Sequence, residues 1–257
     1  MFIFCKLPNR FKTTVFMCTV TLIPKGENDF VLTSNRDEAP NRISLKPEFY
    51  TIKNTKLLFP KDELSGGTWI GVSEKNRAIC MLNGGFEFHE RKPKYRLSRG
   101  VVANHFMVAD DLIQTVDTYN FDDIEPFTMV VVDWNFDLKF YELVWNGADK
   151  YFTELPFEPK IWSSSTLYSE AMKAERLKWF EDFKAENDLD ENTLLKFHKT
   201  AGKNNDDYGV IMNRGFIKTT SITQIEKLNN TLEMHYESLL DYNVSSKTFH
   251  ISQTVNE

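Results

Sequence analysis

Cys18 follows Met17, and methionine ahead of a small residue is the arrangement from which initiator trimming leaves a new chain start. A cysteine at a chain start carries nucleophile and base on one residue. Its thiolate attacks a carbonyl carbon, and its α-amine, with an ordinary pKa near ~8, takes up and returns the proton. An amide nitrogen has no such basicity, so this chemistry requires Cys18 to be terminal. The run Asn35-Arg36-Asp37-Glu38 comes one strand, one short loop and one further strand later, a spacing that folds it back beside Cys18. Arg36 there could lower the thiol pKa by its charge. Either Asp37 or Glu38 could orient the ammonium or the thiol. Asn83 closes a later apolar run, and its side-chain amide could donate to a tetrahedral oxyanion. Each residue also has a plainer reading: Cys18 as a small strand residue, 35–38 as a salt-bridged strand end, and Asn83 as the turn residue before Gly84.

These residues need a scaffold of hairpins. Residues 18–23 and 29–34 read as strands around a loop at 24–28. Residues 37–65 are rich in Pro and charge and read as a loop. A second hairpin is expected over 68–73 and 77–82, stopped by Asn83-Gly84-Gly85, and a third over 127–133 and 137–145. Residues 217–227 and 231–239 form a late one. Helical periodicity runs through 98–118 behind Ser98, through 167–186, and through 191–199 behind Asp190. The order predicts an α+β fold with largely antiparallel sheets in one domain, 17–257. In residues 1–16 the apolar stretch precedes the basic residues, the wrong polarity for a secretory signal. That segment reads as a leader or a mis-called start.

Three blocks occur in a specific order: Met17-Cys18-Thr19, Asn35-Arg36-Asp37-Glu38 and Gly66-Gly67-Thr68-Trp69-Ile70-Gly71. With Arg99-Gly100, Ser163-Ser164-Ser165 and Lys218-Thr219-Thr220-Ser221, the chain resembles the NRDE family, also called the transport and Golgi organization protein 2 family. The resemblance implies a four-layer αββα sandwich of the N-terminal-nucleophile hydrolase type, as in bile salt hydrolases and penicillin V acylase. It implies Cys18, Arg36, Asp37 and Asn83 as catalytic residues, and Asn35, Glu38, Trp69, Ser165 and Lys218 as substrate-binding ones. Ser165 stands where those hydrolases carry Asn, and Lys218 where they carry Arg, so the bidentate fork is lost there. The activity implied is hydrolysis of a non-peptide C–N amide through a thioester. The alternative implied is a non-catalytic carrier of haem or another amphipathic small molecule.

Composition narrows the partners. The 257-residue chain is 41% hydrophobic and 26% charged, with a net charge of −6. An acidic body argues against nucleic acid, which needs a basic footprint. No run of apolar residues is long enough for a membrane-spanning helix. Cys5, Cys18 and Cys80 are odd in number and widely spaced, so neither a disulfide framework nor a zinc site is expected, and a reducing compartment, the cytoplasm, is. Cys80 sits in the apolar run 78–82 and reads as a buried structural thiol. The five histidines show no ligand spacing, so neither a metal nor a cofactor is expected.

Overall fold

The structure, a computed structural model, describes residues 17–166 and 168–251; the expected leader at 1–16 lies outside them. Two antiparallel sheets face each other. The first six strands are β1 (Met17–Lys25), β2 (Asp29–Glu38), β3 (Ser44–Ile52), β4 (Thr55–Asp62), β5 (Ile70–Ser73) and β6 (Arg77–Asn83). Helices α1 (Arg99–Met107) and α2 (Leu112–Thr118) follow, then β7 (Phe127–Asp133), β8 (Lys139–Trp145), β9 (Lys150–Glu154) and β10 (Lys160–Ser163). The chain ends with α3 (Glu170–Glu186), α4 (Glu191–Thr200), β11 (Lys218–Leu228), β12 (Thr231–Ser238) and β13 (Val244–His250). One sheet runs β10-β1-β2-β11-β12-β13, the other β3-β4-β5-β6-β7-β8-β9.

Side-chain alternation produces the layers, because successive strand residues point to opposite faces. On β1 and β2, Cys18, Val20, Leu22, Phe30 and Leu32 enter the core between the sheets, where they meet Leu58, Cys80, Leu82, Val130 and Val132. The alternate residues Ile23 and Val31 pack outward on Phe180, Leu194 and Phe197 of α3 and α4. On the second sheet, Ile79, Met81, Met129 and Val131 face α1 and α2 through Val102, Phe106, Leu112 and Val116. The result is helices, sheet, sheet, helices.

Two expectations change, and three strands are new. The 37–65 stretch is not a loop: β2 continues to Glu38, and β3 and β4 form a hairpin through Lys53 and Asn54, both at positive φ. Its alternating charges masked it, since β3 presents Lys46 and other polar residues to solvent. The 98–118 helix divides at Asp111, whose side chain accepts from Gln114 N and starts α2. The remaining surprises are β9, β10 and β13, each an edge strand that needs no continuous apolar run.

Candidate active site

The register of β1 on β2 sets the site. Cys18 pairs with Arg36 and Met17 with Asp37, while Thr19 pairs with Ser163 of β10. Cys18, Arg36, Asp37, Glu38, Trp69 and Asn83 line one cavity of about 230 Å³ at this end of the sheets. Cys18 is 4% exposed. With Met17 still attached, burial pushes its thiol well above the ordinary thiol range; Cys80 and Asp37 add to the shift and Arg36 opposes it. Cys80 is pushed up to about 12 by burial.

Arg36 is held from several sides. Its Nη2 donates to Asp62 Oδ2 at 2.6 Å and lies 3.5 Å from Glu38 Oε2, and its Nη1 donates to the Arg42 carbonyl at 3.2 Å. The guanidinium carbon sits 4.7 Å from the centre of the Trp69 ring. Asp62 also accepts from Arg42 Nε at 2.7 Å and from Ser65 N at 2.8 Å. Burial alone would raise its pKa, but the Arg42 and Ser65 bonds take it below the ordinary carboxylate value. Asp37 lies on the opposite face of β2 from Arg36. Its oxygens accept from Thr219 Oγ1 at 2.6 Å and Tyr168 OH at 3.2 Å. Burial lifts it to about 6 although Arg176 opposes the rise.

Glu38 is lifted by burial to about 7, against Arg36 and Arg42. Folding therefore takes up a proton between the ordinary 4.5 and about 7. The stability this contributes is complete below 4.5 and is lost as the pH rises through about 7, roughly 3 kcal/mol in all. Glu38→Gln cannot titrate. The unfolding free energy of the native protein minus that of Glu38→Gln, from urea titrations, should fall by about 3 kcal/mol between about pH 4 and pH 8. A flat difference would show that this carboxyl ionises in the fold as it does in water.

Asn83 ends β6, and no hydrogen bond engages its side-chain amide among the described residues. Ser164 ties it to the nucleophile strand: Ser164 Oγ donates to the Asn83 carbonyl at 2.6 Å and Ser164 N donates to the Cys18 carbonyl at 3.2 Å. Gly84 permits this approach, having φ +83° and a Cβ position only 2.3 Å from Ser165 Oγ.

The family profile of Transport and Golgi organisation 2 matches residues 17–244. The chain belongs to this family. No curated protein matches it. Among solved structures it is similar to the Caenorhabditis elegans orthologue of N-acylethanolamine-hydrolyzing acid amidase, with TM-score 0.56, 11% identity, and 81% of this chain and 92% of that one covered. It is also similar to penicillin V acylase from Agrobacterium tumefaciens, with TM-score 0.54, 11% identity, and coverages of 89% and 85%. A variant of the conjugated bile acid hydrolase from Clostridium perfringens aligns with TM-score 0.53 at 10% identity, covering 93% of this chain and 99% of its own. At these identities the likeness establishes the N-terminal-nucleophile hydrolase fold.

Within this family member, not every expected residue reaches the cavity. Asn35 faces the helices: its Nδ2 donates to the carbonyls of His198 and Val210, and its Oδ1 accepts from His198 Nδ1 at 2.7 Å. Ser165 lines a separate recess behind Gly85 and Trp162, and Lys218 lines neither. The strand period separates Asn35 from Arg36 by one face. Sequence reading gave no role to Asp62, Arg42, Ser164, Tyr168, Arg176 or Thr219. Asp62 lay in a stretch read as loop, and Arg176 is one charge within a helix already rich in them. Among the described residues no cluster of side chains could hold a metal, and no helix is long and apolar enough to cross a membrane.

Proposed function

We propose that this protein hydrolyses a linear, non-peptide amide, with Cys18 as nucleophile and its own α-amine as base. The convergence of Cys18, Arg36, Asp37 and Asn83 on one cavity carries the reading. With Met17 removed, the α-amine of Cys18 would sit beside Asp37, the residue opposite Met17 in the register. On taking up the thiol proton it would add a positive charge to that of Arg36 beside the thiolate. The thiol proton passes to the amine and sulfur attacks the amide carbon. The oxyanion forms within reach of the Asn83 amide. Collapse expels the amine, which leaves with the proton from the α-ammonium, and a thioester remains on Cys18. Water then attacks the thioester, releasing the carboxylic acid and restoring the thiol.

Mass analysis of the protein from its own cell should find Cys18 as first residue. Incubation with a panel of N-acyl amides should then give a mass increase equal to the acyl group, on Cys18 alone. A retained Met17 in active protein would defeat the mechanism. The lining also combines apolar Trp69, Met81 and Leu97 with cationic Arg91 and Lys94, which supports a second reading, binding of an amphipathic anion such as haem without turnover. A saturable Soret shift, removed by Trp69→Ala and unaccompanied by acylation, would favour that reading.

A further inference from the structure

Arg176 of α3 is a buried charge that the proposed reaction does not use. Its side chain is fully buried under the first sheet. Nη1 donates to Thr19 Oγ1 at 2.6 Å and to Ser163 Oγ at 3.3 Å. Nη2 donates to Tyr168 OH at 2.8 Å and to the Gly209 carbonyl at 2.7 Å, and Nε donates to the Tyr208 carbonyl at 2.8 Å. Thr19 is the residue after the nucleophile, and Ser163 is its partner on β10. Tyr168 OH accepts from Arg176 and donates a hydrogen bond to Asp37 Oδ2 at 3.2 Å. A continuous chain thus runs Arg176, Tyr168, Asp37, and a second arm runs from the same guanidinium to the strand bearing Cys18.

We propose that Tyr168 and Arg176 are positioning residues for the nucleophile: they hold the Asp37 carboxylate toward the place where the Cys18 α-ammonium stands, and they fix strand β1 at that point. The inference rests on the N-terminal-nucleophile reading of Cys18. A guanidinium whose only task was to pack α3 would be satisfied by carbonyls. This one gives two of its five bonds to carbonyls and the rest to the hydroxyls of Thr19, Ser163 and Tyr168. Charged-donor bonds of this kind are directional, so they set where the acceptor points. Asp37 is faced by Thr219 of β11, by Tyr168 and Arg176 from the α3 side, by Arg214 from the loop before β11, and by Cys18. Its own strand contributes Arg36 and Glu38 on either side of it in sequence. Arg214 also stands 5.8 Å from the Tyr168 ring, so both cations reach Asp37 around this tyrosine.

The test uses protein beginning at Cys18, confirmed by mass, with Tyr168→Phe and Arg176→Lys beside the native form. Asp37 is titrated through its carboxyl carbon by NMR, assigned by its loss in Asp37→Asn. Iodoacetamide alkylation of Cys18 is followed over the same pH range. In the native protein the carboxyl should titrate near about 6, and the acid limb of alkylation should follow it. Tyr168→Phe keeps the ring and removes one donor. It should move both midpoints up by about one pH unit, a tenfold change in proton affinity, with a modest fall in melting temperature because one Arg176 N–H loses its acceptor. Arg176→Lys should move them the same way and further. A uniform fall in alkylation at every pH, with the Asp37 midpoint unmoved, would mean that Tyr168 and Arg176 only hold the fold together and would overturn the proposal. If the carboxyl moves and the alkylation limb does not, the pair tunes Asp37 without positioning the thiol, which also overturns it. A native Cys18 with a free amine that alkylates at no pH would instead sink the nucleophile reading, while the carboxyl titration still decides whether Tyr168 and Arg176 govern Asp37.

Discussion

Cys18→Ser should lose amide turnover by ~10³-fold or more while keeping the fold, because the group removed is the one on which every later step depends. The serine hydroxyl has nearly the right size for the site. It holds its proton far more tightly than a thiol does, and an α-amine of ordinary basicity near ~8 cannot remove it efficiently. The substitution puts a hydroxyl on the face of β1 that Val20 and Leu22 share, so a stability loss of about 1–2 kcal/mol is expected as well. That loss is too small to unfold a domain with an ordinary margin of about 5–15 kcal/mol. Rate and stability are therefore measured separately: turnover by product release, fold by urea titration. Labelling separates the two thiols of the described structure. Cys80, held near about 12 by burial and walled into the inter-sheet core, should stay unlabelled under conditions where a terminal Cys18 reacts. Turnover that survives in Cys18→Ser would remove this residue from the chemistry.

The hairpin carrying Cys18 and the 35–38 run was legible because period-2 alternation and a short polar loop specify both strands and their pairing. The same alternation held the information that Asn35 cannot share a face with Arg36, since adjacent strand residues diverge. The 35–38 run therefore divides between two tasks. Asn35 turns to His198 of α4, and Asp37, while still bordering the cavity, turns to Tyr168 and to Thr219 of β11. Arg36 and Cys18 share the inter-sheet face. What the sequence could not supply was the company each charge keeps. Asp62 lies 26 positions after Arg36, Arg176 lies 157 after Thr19 and Thr219 lies 182 after Asp37, and no local pattern encodes such contacts. The edge strand β10 was equally silent, being short and half-exposed, yet it lays Ser163, with Ser164 just beyond its end, against the nucleophile strand.

Asp62→Ala should be among the most destabilising single changes in the chain, at about 3 kcal/mol. Asp62 is the shared acceptor for two guanidinium groups, Arg36 at 2.6 Å and Arg42 at 2.7 Å, and it also closes the Ser65 turn. Breaking one partner out of a buried pair costs about 3–5 kcal/mol because the remaining charge is left in a poorly solvated place. The lower end applies here: the Arg42 side chain is 21% exposed and can turn to water, whereas Arg36 is 5% exposed and cannot. Arg36 keeps an acidic neighbour in Glu38, at 3.5 Å. Closer engagement with that carboxylate should draw the Glu38 pKa down from about 7, so the variant should lose less stability than the native protein as the pH rises. Asp62→Asn would keep an acceptor for Ser65 N and lose only the charge, so it should fall between the two. Urea midpoints for the three proteins at two pH values test the order. A loss below about 1 kcal/mol in Asp62→Ala would mean that water already solvates Arg36, as it does an exposed ion pair. The cavity would then lack the low dielectric that gives a fixed guanidinium its influence on the Cys18 thiol.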